Sequence, residues 1–373
     1  MSLKAPNCVV TVCGNLIKDP CHRLASHSLL IDYSNAEELI DNIKKNGYHY
    51  LVPGCNDVSY ISCATAAERL GLPGYDSLDT VLTLHHKNRF RQFSEESNYP
   101  VPKAASNTTD AKSLTLPVIV KPTDAFSGRG VSKLSNFDQI EDKYSEAKLF
   151  SKSSHAIIEE FISGSLHSHS AFIKDGKILI DFFVDEFCTI YEYQVNSSCI
   201  SYSIPDRVRQ KVRSWCETLA QDLSLVDGLV HTQFIMNNDD FWLIEVTRRC
   251  PGDLYSELIS QSTGINYAAL YASAFTEQGL PDTVPEQDVK YVARHTASSH
   301  TASVLHSTGI KPPTSTAKID FTSIAGAGET IKEAPFGKTG IFFIEFQSQT
   351  ELVGLTPSLY QFVYINSFEG LKS

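Results

Sequence analysis

The sequence predicts an α/β protein with more than one lobe, and three observations support this fold class. The chain has 373 residues, more than one small hydrophobic core usually serves. Its first eighty or so residues alternate apolar strand patterns with polar helical patterns, which is typical of an open, doubly wound parallel sheet. Further along, hairpin patterns take over, and the clearest turn is Asp175-Gly176.

The N-terminal unit begins with Cys8–Gly14, an apolar run typical of a buried first strand. A polar helix is predicted over Asn35–Asn46, a returning strand over Tyr48–Gly54, and a further helix capped by Asp57. The first turn contains Gly14 but no G-x-G-x-x-G motif. A dinucleotide site is therefore not expected there.

The next segment, Asp79–Asn98, is charged and predicts one helix, which must end before the two prolines of Y-P-V-P. The later part of the chain predicts a mixture of strands and helices. We expect strands at 118–120, 131–134, 156–162, 167–173, 178–184, 199–203, 229–235, 241–246, 292–297, 317–321 and 340–346, and helices near 136–147, 206–223 and 254–262.

Composition excludes several classes of protein. The formal charge of −11 argues against non-specific nucleic-acid binding. No run approaches the roughly 18 apolar residues of a membrane span, and Lys4, Pro6 and Asn7 do not fit a signal peptide. The nine cysteines include no C-x-x-C pair, so neither a zinc ribbon nor a disulfide framework is predicted. A reducing compartment, and hence the cytoplasm, is the expected location.

A glycine-rich stretch, Val118–Val131, is the strongest local signal for a ligand. Its apolar run ends at Lys121, and the following loop contains Ser127, Gly128 and Gly130. Glycines allow backbone N–H groups to approach phosphate oxygens, and the lysine supplies positive charge. An ordinary glycine-rich hairpin turn has the same pattern, so both readings remain open at this point.

Polar side chains also interrupt other apolar segments. They are Glu159 and Glu160 in I-I-E-E-F-I, and Gln233, Glu245, Thr247 and Arg249 in and after a later antiparallel pair. A carboxylate is costly to bury without a cation. Glu245, inside L-I-E-V, therefore favours a metal site.

Four segments resemble motifs of the ATP-grasp superfamily, and they occur in the family's order over most of the chain. They are H-K-N-R-F-R-Q-F…Y-P-V-P, V-I-V-K-P-x-D-x-x-S-G-R-G-V, I-I-E-E-F-I-S-G and L-I-E-V-T-R-R. The closer resemblance is to carboxylate–amine ligases that act on amino acids or form peptides. It implies an ATP-grasp fold with a Rossmann-like, doubly wound domain at 1–84, a helical linker and small lid at 85–162, and a larger mixed-sheet domain with a C-terminal extension at 163–373.

The resemblance also implies how ATP binds. Lys87 and Lys121 would contact the phosphates, although a solvated helical lysine is the alternative for Lys87. The remaining nucleotide contacts are Ser127, Gly128 and Gly130 in the lid loop, and Glu159, Glu160, Phe161 and Ile162 along the adenine. Among these, Glu160 and Ile162 would use backbone groups, Glu159 its carboxylate, and Phe161 would serve packing; surface charge is the alternative for the glutamates.

By the same resemblance, Gln233, Glu245 and Thr247 would hold Mg²⁺ or Mn²⁺. Arg249 would face the acyl-phosphate and act in catalysis with Lys121, unless the neighbouring Arg248 points inward instead. Two positions depart from the family pattern. Thr247 replaces an asparagine, and Leu166 stands where many relatives carry the acid that holds the ribose.

These observations predict an ATP- and magnesium-dependent ligase for amino acids or similar small metabolites. It would join a carboxylate to an amine through an acyl-phosphate and release ADP and phosphate. The alternatives are a non-catalytic or regulatory ATP-binding protein and a carboxylase of the biotin carboxylase type. The expected partners are small-molecule substrates, not nucleic acid or membrane. A homodimer remains open, and the last ninety or so residues would shape the acceptor pocket or an oligomer contact.

Overall fold

The computed structural model describes residues 8–19, 21–125 and 128–368, and it confirms an α/β fold divided among several sheets. The N-terminal elements are β1 (Thr11–Gly14), α1 (Cys21–Leu24), β2 (His27–Leu30), α2 (Ala36–Asn46) and α3 (Asp57–Leu70). Strands β1 and β2 pair in parallel, as expected for this unit. Asn56, rather than the predicted Asp57, caps α3, because its side chain accepts a hydrogen bond from the Ser59 N–H.

Two predictions in the N-terminal half are wrong. Residues 48–54 do not form a strand; Leu51 and Val52 instead pack their side chains into two hydrophobic cores. The charged segment predicted as one helix forms two, α4 (Leu78–His85) and α5 (Lys87–Glu96), because the backbone at His86 is extended.

The segment predicted to contain the lid, which keeps that name below, forms a four-stranded sheet with two helices. Its elements are β3 (Ala104–Ala105), α6 (Thr108–Ala111), β4 (Val118–Pro122), β5 (Ser132–Leu134), α7 (Ile140–Leu149) and β6 (Ala156–Glu160). The strand order is β3-β6-β4-β5. Val118, Val120 and Ile158 are fully buried in its core. The lid therefore has a hydrophobic core of its own.

The largest sheet has eight strands in the order β11-β10-β7-β8-β9-β12-β16-β14. The elements after the lid are β7 (Ser165–Lys174), β8 (Lys177–Phe187), β9 (Ser197–Ile200), α8 (Asp206–Asp222), β10 (Gly228–Asn237), β11 (Asp240–Thr247), α9 (Tyr255–Thr263), α10 (Tyr267–Ser273), β12 (Tyr291–Ala297), β13 (Ser303–Ile310), β14 (Lys318–Ser323), β15 (Thr330–Ile331), β16 (Gly340–Phe346), α11 (Gln349–Leu355) and β17 (Val363–Phe368). The hairpin predicted at Asp175-Gly176 is confirmed by the pairing of β7 with β8.

Hydrophobic cores cover both faces of this sheet. Helix α8 packs on one face through side chains that include Val212 and Leu219, and α5 adds Phe90 to the same core. Helices α9 and α10 cover the other face with Tyr255 and Tyr267. Strands β15, β13 and β17 form a separate three-stranded sheet that the sequence did not predict. Among the described residues, no helix is long and apolar enough to cross a membrane.

Candidate active site

A cleft of about 1210 Å³ is lined by residues of the N-terminal unit, the lid and the large sheet. It brings together predicted site residues from all four motifs and from the strand before the last motif: Lys87, Lys121, Gly128, Glu159, Glu160, Phe161, Ile162, Gln233, Glu245, Thr247 and Arg249. Gly130 is not among the lining residues. Ser127 lies outside the described residues, as does its neighbour Phe126.

The glycine loop after β4 packs closely against its surroundings. Gly128 and Gly130 have φ angles of 70° and 69°, which L side chains rarely adopt. A Cβ on Gly128 would lie 2.5 Å from the Tyr193 Cβ, and one on Gly130 would lie 2.7 Å from a Phe150 ring carbon. The Tyr191 hydroxyl also donates to the Gly128 carbonyl at 3.2 Å. Both conformation and space therefore require glycine at these two positions.

A buried ion cluster lies beneath the loop. The Glu159 carboxylate is 2.6 Å from the Lys121 Nζ and 2.9 Å from the Arg91 Nε. Glu159 is 1% exposed, and Arg91 also donates to the Ile244 carbonyl at 2.9 Å. The cluster links the lid to α5 and β11. Because two cations share one carboxylate, a net positive charge remains at the cleft.

The cluster shifts the pKa values of its members. Burial lowers the pKa of Lys121 to about 8, although the nearby Glu159 opposes that shift. Burial alone would raise the pKa of Glu159, but Arg91 and Lys121 outweigh it and hold that pKa below its usual value. Glu159 is therefore ionised at neutral pH, and its carboxylate is occupied by protein cations.

Lys87 begins α5 at the opposite side of the loop. Its Nζ donates to the Ala125 carbonyl at 3.2 Å, and its backbone N–H donates to the Thr123 carbonyl at 3.4 Å. Both contacts fix the start of α5 to the segment after β4. The lysine therefore lies beside the glycine loop, where the phosphate hypothesis requires it.

The end of β6 uses its polar groups within the lid. The Glu160 carboxylate accepts from the Thr115 N–H at 2.9 Å, and the Glu160 N–H donates to the Lys103 carbonyl at 2.9 Å. The Lys133 Nζ lies over the Phe161 ring, 3.6 Å from its centre. Side chains at this position therefore contact other parts of the lid. The Glu160 N–H is already bonded, so a main-chain contact of Glu160 with a nucleotide stays a prediction for its carbonyl.

The predicted metal ligands lie on adjacent strands. Gln233 of β10 and Glu245 of β11 are directly paired, and Thr247 lies two residues further on the same strand. The Gln233 Nε2 donates to the Glu186 Oε2 at 2.5 Å, which leaves its carbonyl oxygen for another partner. The buried Thr247 Oγ1 has no hydrogen-bond partner within the described part of the chain.

These three residues fit a hard divalent cation. A carboxylate, an amide carbonyl and a hydroxyl are all oxygen ligands, which Mg²⁺ and Mn²⁺ accept. The set contains one carboxylate, and accordingly no group of three His, Cys, Asp or Glu residues suited to a metal is found in ranges 8–19, 21–125 and 128–368. A cation here would depend on oxygens from substrate or water to complete its coordination.

The structure distinguishes the two adjacent arginines. Arg248 is 2% exposed, and it donates to Asp76 at 2.8 Å and to the Val226 carbonyl at 2.6 Å, away from the cleft lining. Arg249 lines the cleft, where it donates to Asp57 at 2.8 Å and lies 3.6 Å from Glu245. Arg249 is therefore the arginine that faces the predicted site.

Asp57 orients Arg249 from the first turn of α3. Burial opposes its ionisation, but Arg249 and His85, whose Nδ1 is 2.9 Å away, hold the pKa of Asp57 well below its usual value. In turn, Asp57 raises the pKa of Arg249 against the effect of burial. The N-terminal unit thus contributes directly to the site.

Sequence reasoning missed four site residues: Arg91, Asp57, Glu186 and Arg294. Glu186 and Arg294 line the cleft, and each interrupts an apolar strand, in F-V-D-E-F and V-A-R-H-T-A. The argument that singled out Glu245, a charge inside an apolar strand, would have found both. Nothing local in the sequence marks Arg91 or Asp57, whose partners are distant along the chain. Leu166 lines the cleft opposite Glu186 in the strand pairing.

Comparison with known proteins gives consistent results. Residues 114–257 match the ATP-grasp domain family. The carbamoyl phosphate synthase large chain of Methanosphaerula palustris is 22% identical over 285 residues, which cover 72% of this chain. The match covers 27% of the synthase chain, so this protein spans about a quarter of that relative's length.

Solved structures share the fold over almost the whole chain. The L-amino acid ligase from Bacillus licheniformis superposes with a TM-score of 0.76 and 16% identity, covering 97% of this chain and 93% of that one. Phosphoribosylglycinamide synthetase from Anaerococcus prevotii gives a TM-score of 0.72 and 18% identity, with 95% and 92% covered. Residues 114–257 are thus an ATP-grasp domain, and the resemblance to the ATP-grasp superfamily that the four motifs predict is confirmed.

Proposed function

We propose that this protein is an ATP- and magnesium-dependent ligase that joins a carboxylate to an amine through an acyl-phosphate. The observation that carries the proposal is the composition of one cleft. Two cations, Lys87 of α5 and Lys121 of the lid, line the same cavity as Arg249. So do three oxygen ligands, Gln233, Glu245 and Thr247. This combination suits transfer of a γ-phosphoryl group, whose negative charge must be neutralised from several sides.

Lys87 and the groups of the lid each have a role in holding the nucleotide. Lys121 and Lys87 neutralise the phosphates, and the loop with Ser127, Gly128 and Gly130 covers them and excludes water. The main chain of Glu160 and Ile162 contacts the adenine beside Phe161. Glu159 positions Lys121, since its carboxylate already joins that lysine to Arg91.

The large sheet supplies the metal ligands and the cationic site for the intermediate. Gln233, Glu245 and Thr247 would hold Mg²⁺, or Mn²⁺ in its place, and this cation would supply charge neutralisation at the transferred phosphoryl group. Arg249 stabilises the acyl-phosphate, and Asp57 fixes the orientation of its guanidinium.

The bond changes balance without a further reactant. A carboxylate oxygen attacks the γ-phosphorus, the bond from that phosphorus to the ADP oxygen breaks, and ADP leaves. The neutral amine nitrogen then attacks the acyl carbon and a C–N bond forms. Phosphate departs with the electron pair of the broken C–O bond and takes up the proton that the nitrogen loses. We propose amino acids or similar small metabolites as substrates. The nine cysteines are all free thiols, which supports the cytoplasm as the location.

The proposal can be tested with purified protein, MgATP and a matrix of carboxylic acids and amines, including the twenty L-amino acids. ADP, AMP and phosphate are quantified, and products are identified by mass. The expected result is equal release of ADP and phosphate with an amide product, only when one acid and one amine are both present.

Other outcomes would overturn the proposal in distinguishable ways. ATP binding without substrate-stimulated turnover would indicate a regulatory nucleotide-binding protein. Release of AMP would refute the acyl-phosphate route. Turnover that requires bicarbonate, with a carboxylated product, would indicate a carboxylase.

A further inference from the structure

Three polar side chains form a row across the middle of the large sheet. Glu186 on β8 pairs with Ser198 on β9, and Ser198 pairs with Arg294 on β12. Residues that are directly paired on neighbouring strands point to the same face of a sheet. Since strands lie about 4.8 Å apart, Glu186 and Arg294 are separated by roughly 10 Å at the backbone.

The two charges of this row are buried but not paired. Glu186 is 6% exposed and Arg294 is 4% exposed. Within the described ranges, neither forms a salt bridge, with the other or with any other residue, and the Nε of Arg294 and the Oγ of Ser198 have no hydrogen-bond partner. Arg294 donates through its Nη1 to the carbonyls of Asp253 and Gly252, at 2.9 and 3.4 Å.

Such an arrangement is costly unless a ligand completes it. A buried charge is normally neutralised by a partner at contact distance, and the guanidinium cannot lose its proton to avoid the cost. Neutral carbonyl acceptors compensate the charge of Arg294 only in part. Both side chains line the cleft, so a ligand with one negative and one positive group can reach them together.

The position of Glu186 gives that ligand an orientation. Its Oε2 accepts from the Gln233 Nε2 at 2.5 Å, and Gln233 is paired with Glu245 at the proposed metal site. Arg294 lies two strands further away, on β12. A cationic group at Glu186 is therefore next to the reaction centre, and an anionic group at Arg294 is remote from it.

We propose that Glu186 and Arg294 bind the acceptor substrate, and that this acceptor is an α-amino acid. Arg294 holds its carboxylate, and Glu186 holds its ammonium group beside the acyl-phosphate. The ammonium group loses one proton to solvent before its nitrogen attacks. This assignment rests on the proposed ligase function and adds the chemical class of the amine. A zwitterion satisfies both buried charges at once, whereas an amine without a carboxylate leaves Arg294 unpaired.

The direct test is calorimetric titration of the full chain, saturated with MgADP, with each of the twenty L-amino acids. We expect at least one to bind, and its methyl ester and its decarboxylated amine to bind roughly 10- to 100-fold more weakly, because each lacks the carboxylate that Arg294 holds. Binding of the ester as tightly as the amino acid would overturn the proposal. So would the failure of all twenty to bind.

Variants separate this role from a structural one. Arg294→Gln should raise the KM for the amino acid roughly 10- to 100-fold, which is the factor expected for loss of the carboxylate contact. The KM for ATP should stay within about twofold, and the KM for the decarboxylated amine should not change. Arg294→Lys should recover part of the loss. Lys318→Gln, which removes an exposed charge on β14, is the matched control. An equal loss for the amino acid and its decarboxylated amine would contradict the assignment.

These experiments distinguish failure of the proposed acceptor site from failure of the proposed ligase function. If no acid and amine pair supports ADP release, the ligase function is refuted, while the calorimetric comparison of amino acid and ester still reports on Arg294. If turnover is found but the Arg294→Gln variant prefers the amino acid over its decarboxylated amine as strongly as the wild type does, the ligase function stands and the acceptor site is refuted.

Discussion

Two groups of buried charges in this molecule differ in how they are satisfied. In the lid cluster, Glu159 meets Lys121 and Arg91 at 2.6 and 2.9 Å. In the row on the large sheet, Glu186 and Arg294 are two strands apart, and no salt bridge joins either to a described residue. In the first group the protein itself pairs the carboxylate, although two cations share it and the Nη1 of Arg91 has no hydrogen-bond partner in the described part of the chain. The second remains incomplete without a ligand, which is typical of a binding site.

The largest expected effect concerns the lid cluster. Glu159→Ala leaves Arg91 and Lys121 buried without their carboxylate, and we expect a loss of about 3–5 kcal/mol in the free energy of unfolding. Glu160→Ala is the matched control. It removes one hydrogen bond, from the Thr115 N–H, and should lower the free energy of unfolding by about 1 kcal/mol. Denaturant unfolding measures both. Equal stability of the two variants would contradict the structural role of Glu159.

The adjacent arginines Arg248 and Arg249 show the same contrast between a charge that stabilises the fold and a charge that lies at the site. Arg248→Ala removes the partner of buried Asp76 and should cost about 3–5 kcal/mol of stability. Arg249→Ala should cost less stability, because Asp57 keeps His85 at 2.9 Å, but should lower kcat by roughly 10²-fold. Thermal unfolding and turnover measured on both variants test this. A loss of kcat in Arg248→Ala but not in Arg249→Ala would contradict this assignment and indicate that Arg248 is the catalytic arginine.

Loss of the metal carboxylate should affect catalysis more than stability. We expect Glu245→Ala to lower kcat by about 10²–10³-fold, because the charge of the transferred phosphoryl group is no longer neutralised by a bound cation. Asp240→Ala, at the exposed start of the same strand, is the control and should keep full turnover. Full activity of Glu245→Ala would remove the metal assignment.

The smallest effect concerns pH. Burial lowers the pKa of Lys121 to about 8, so this lysine loses its charge as the pH rises through that value. The affinity for ATP should fall about tenfold between pH 7 and pH 9, because the deprotonated amine no longer neutralises phosphate. Calorimetry at both pH values measures the change. Lys121→Arg keeps its charge and should show a flat profile; the same decline in that variant would assign the titration to another group.

The sequence could predict the parts of this protein that depend on neighbouring residues. Apolar strand patterns and the Asp175-Gly176 turn predicted the central hairpin, and four motifs identified residues that line one cleft. Strand β13 (Ser303–Ile310) was missed because much of it is polar or partly exposed, so it carries little apolar signal. Apolar side chains at Tyr48–Gly54 suggested a strand, whereas they serve packing.

Long-range partners could not be predicted in the same way. The choice between Arg248 and Arg249 depends on Asp76 and Asp57, which are separated from them by 172 and 192 residues. The partner of Glu159, Arg91, is 68 residues away. Only the folded chain shows which charge is completed by the protein and which remains for a ligand.

The central claim is that a carboxylate attacks the γ-phosphate and forms an acyl-phosphate. Its most direct test uses the acid substrate labelled with ¹⁸O in its carboxylate, in the presence of MgATP and the amine, with mass analysis of the phosphate released. Because one carboxylate oxygen stays with the phosphorus when the C–O bond breaks, each phosphate should carry one ¹⁸O atom. Unlabelled phosphate, formed together with the amide, would contradict this account.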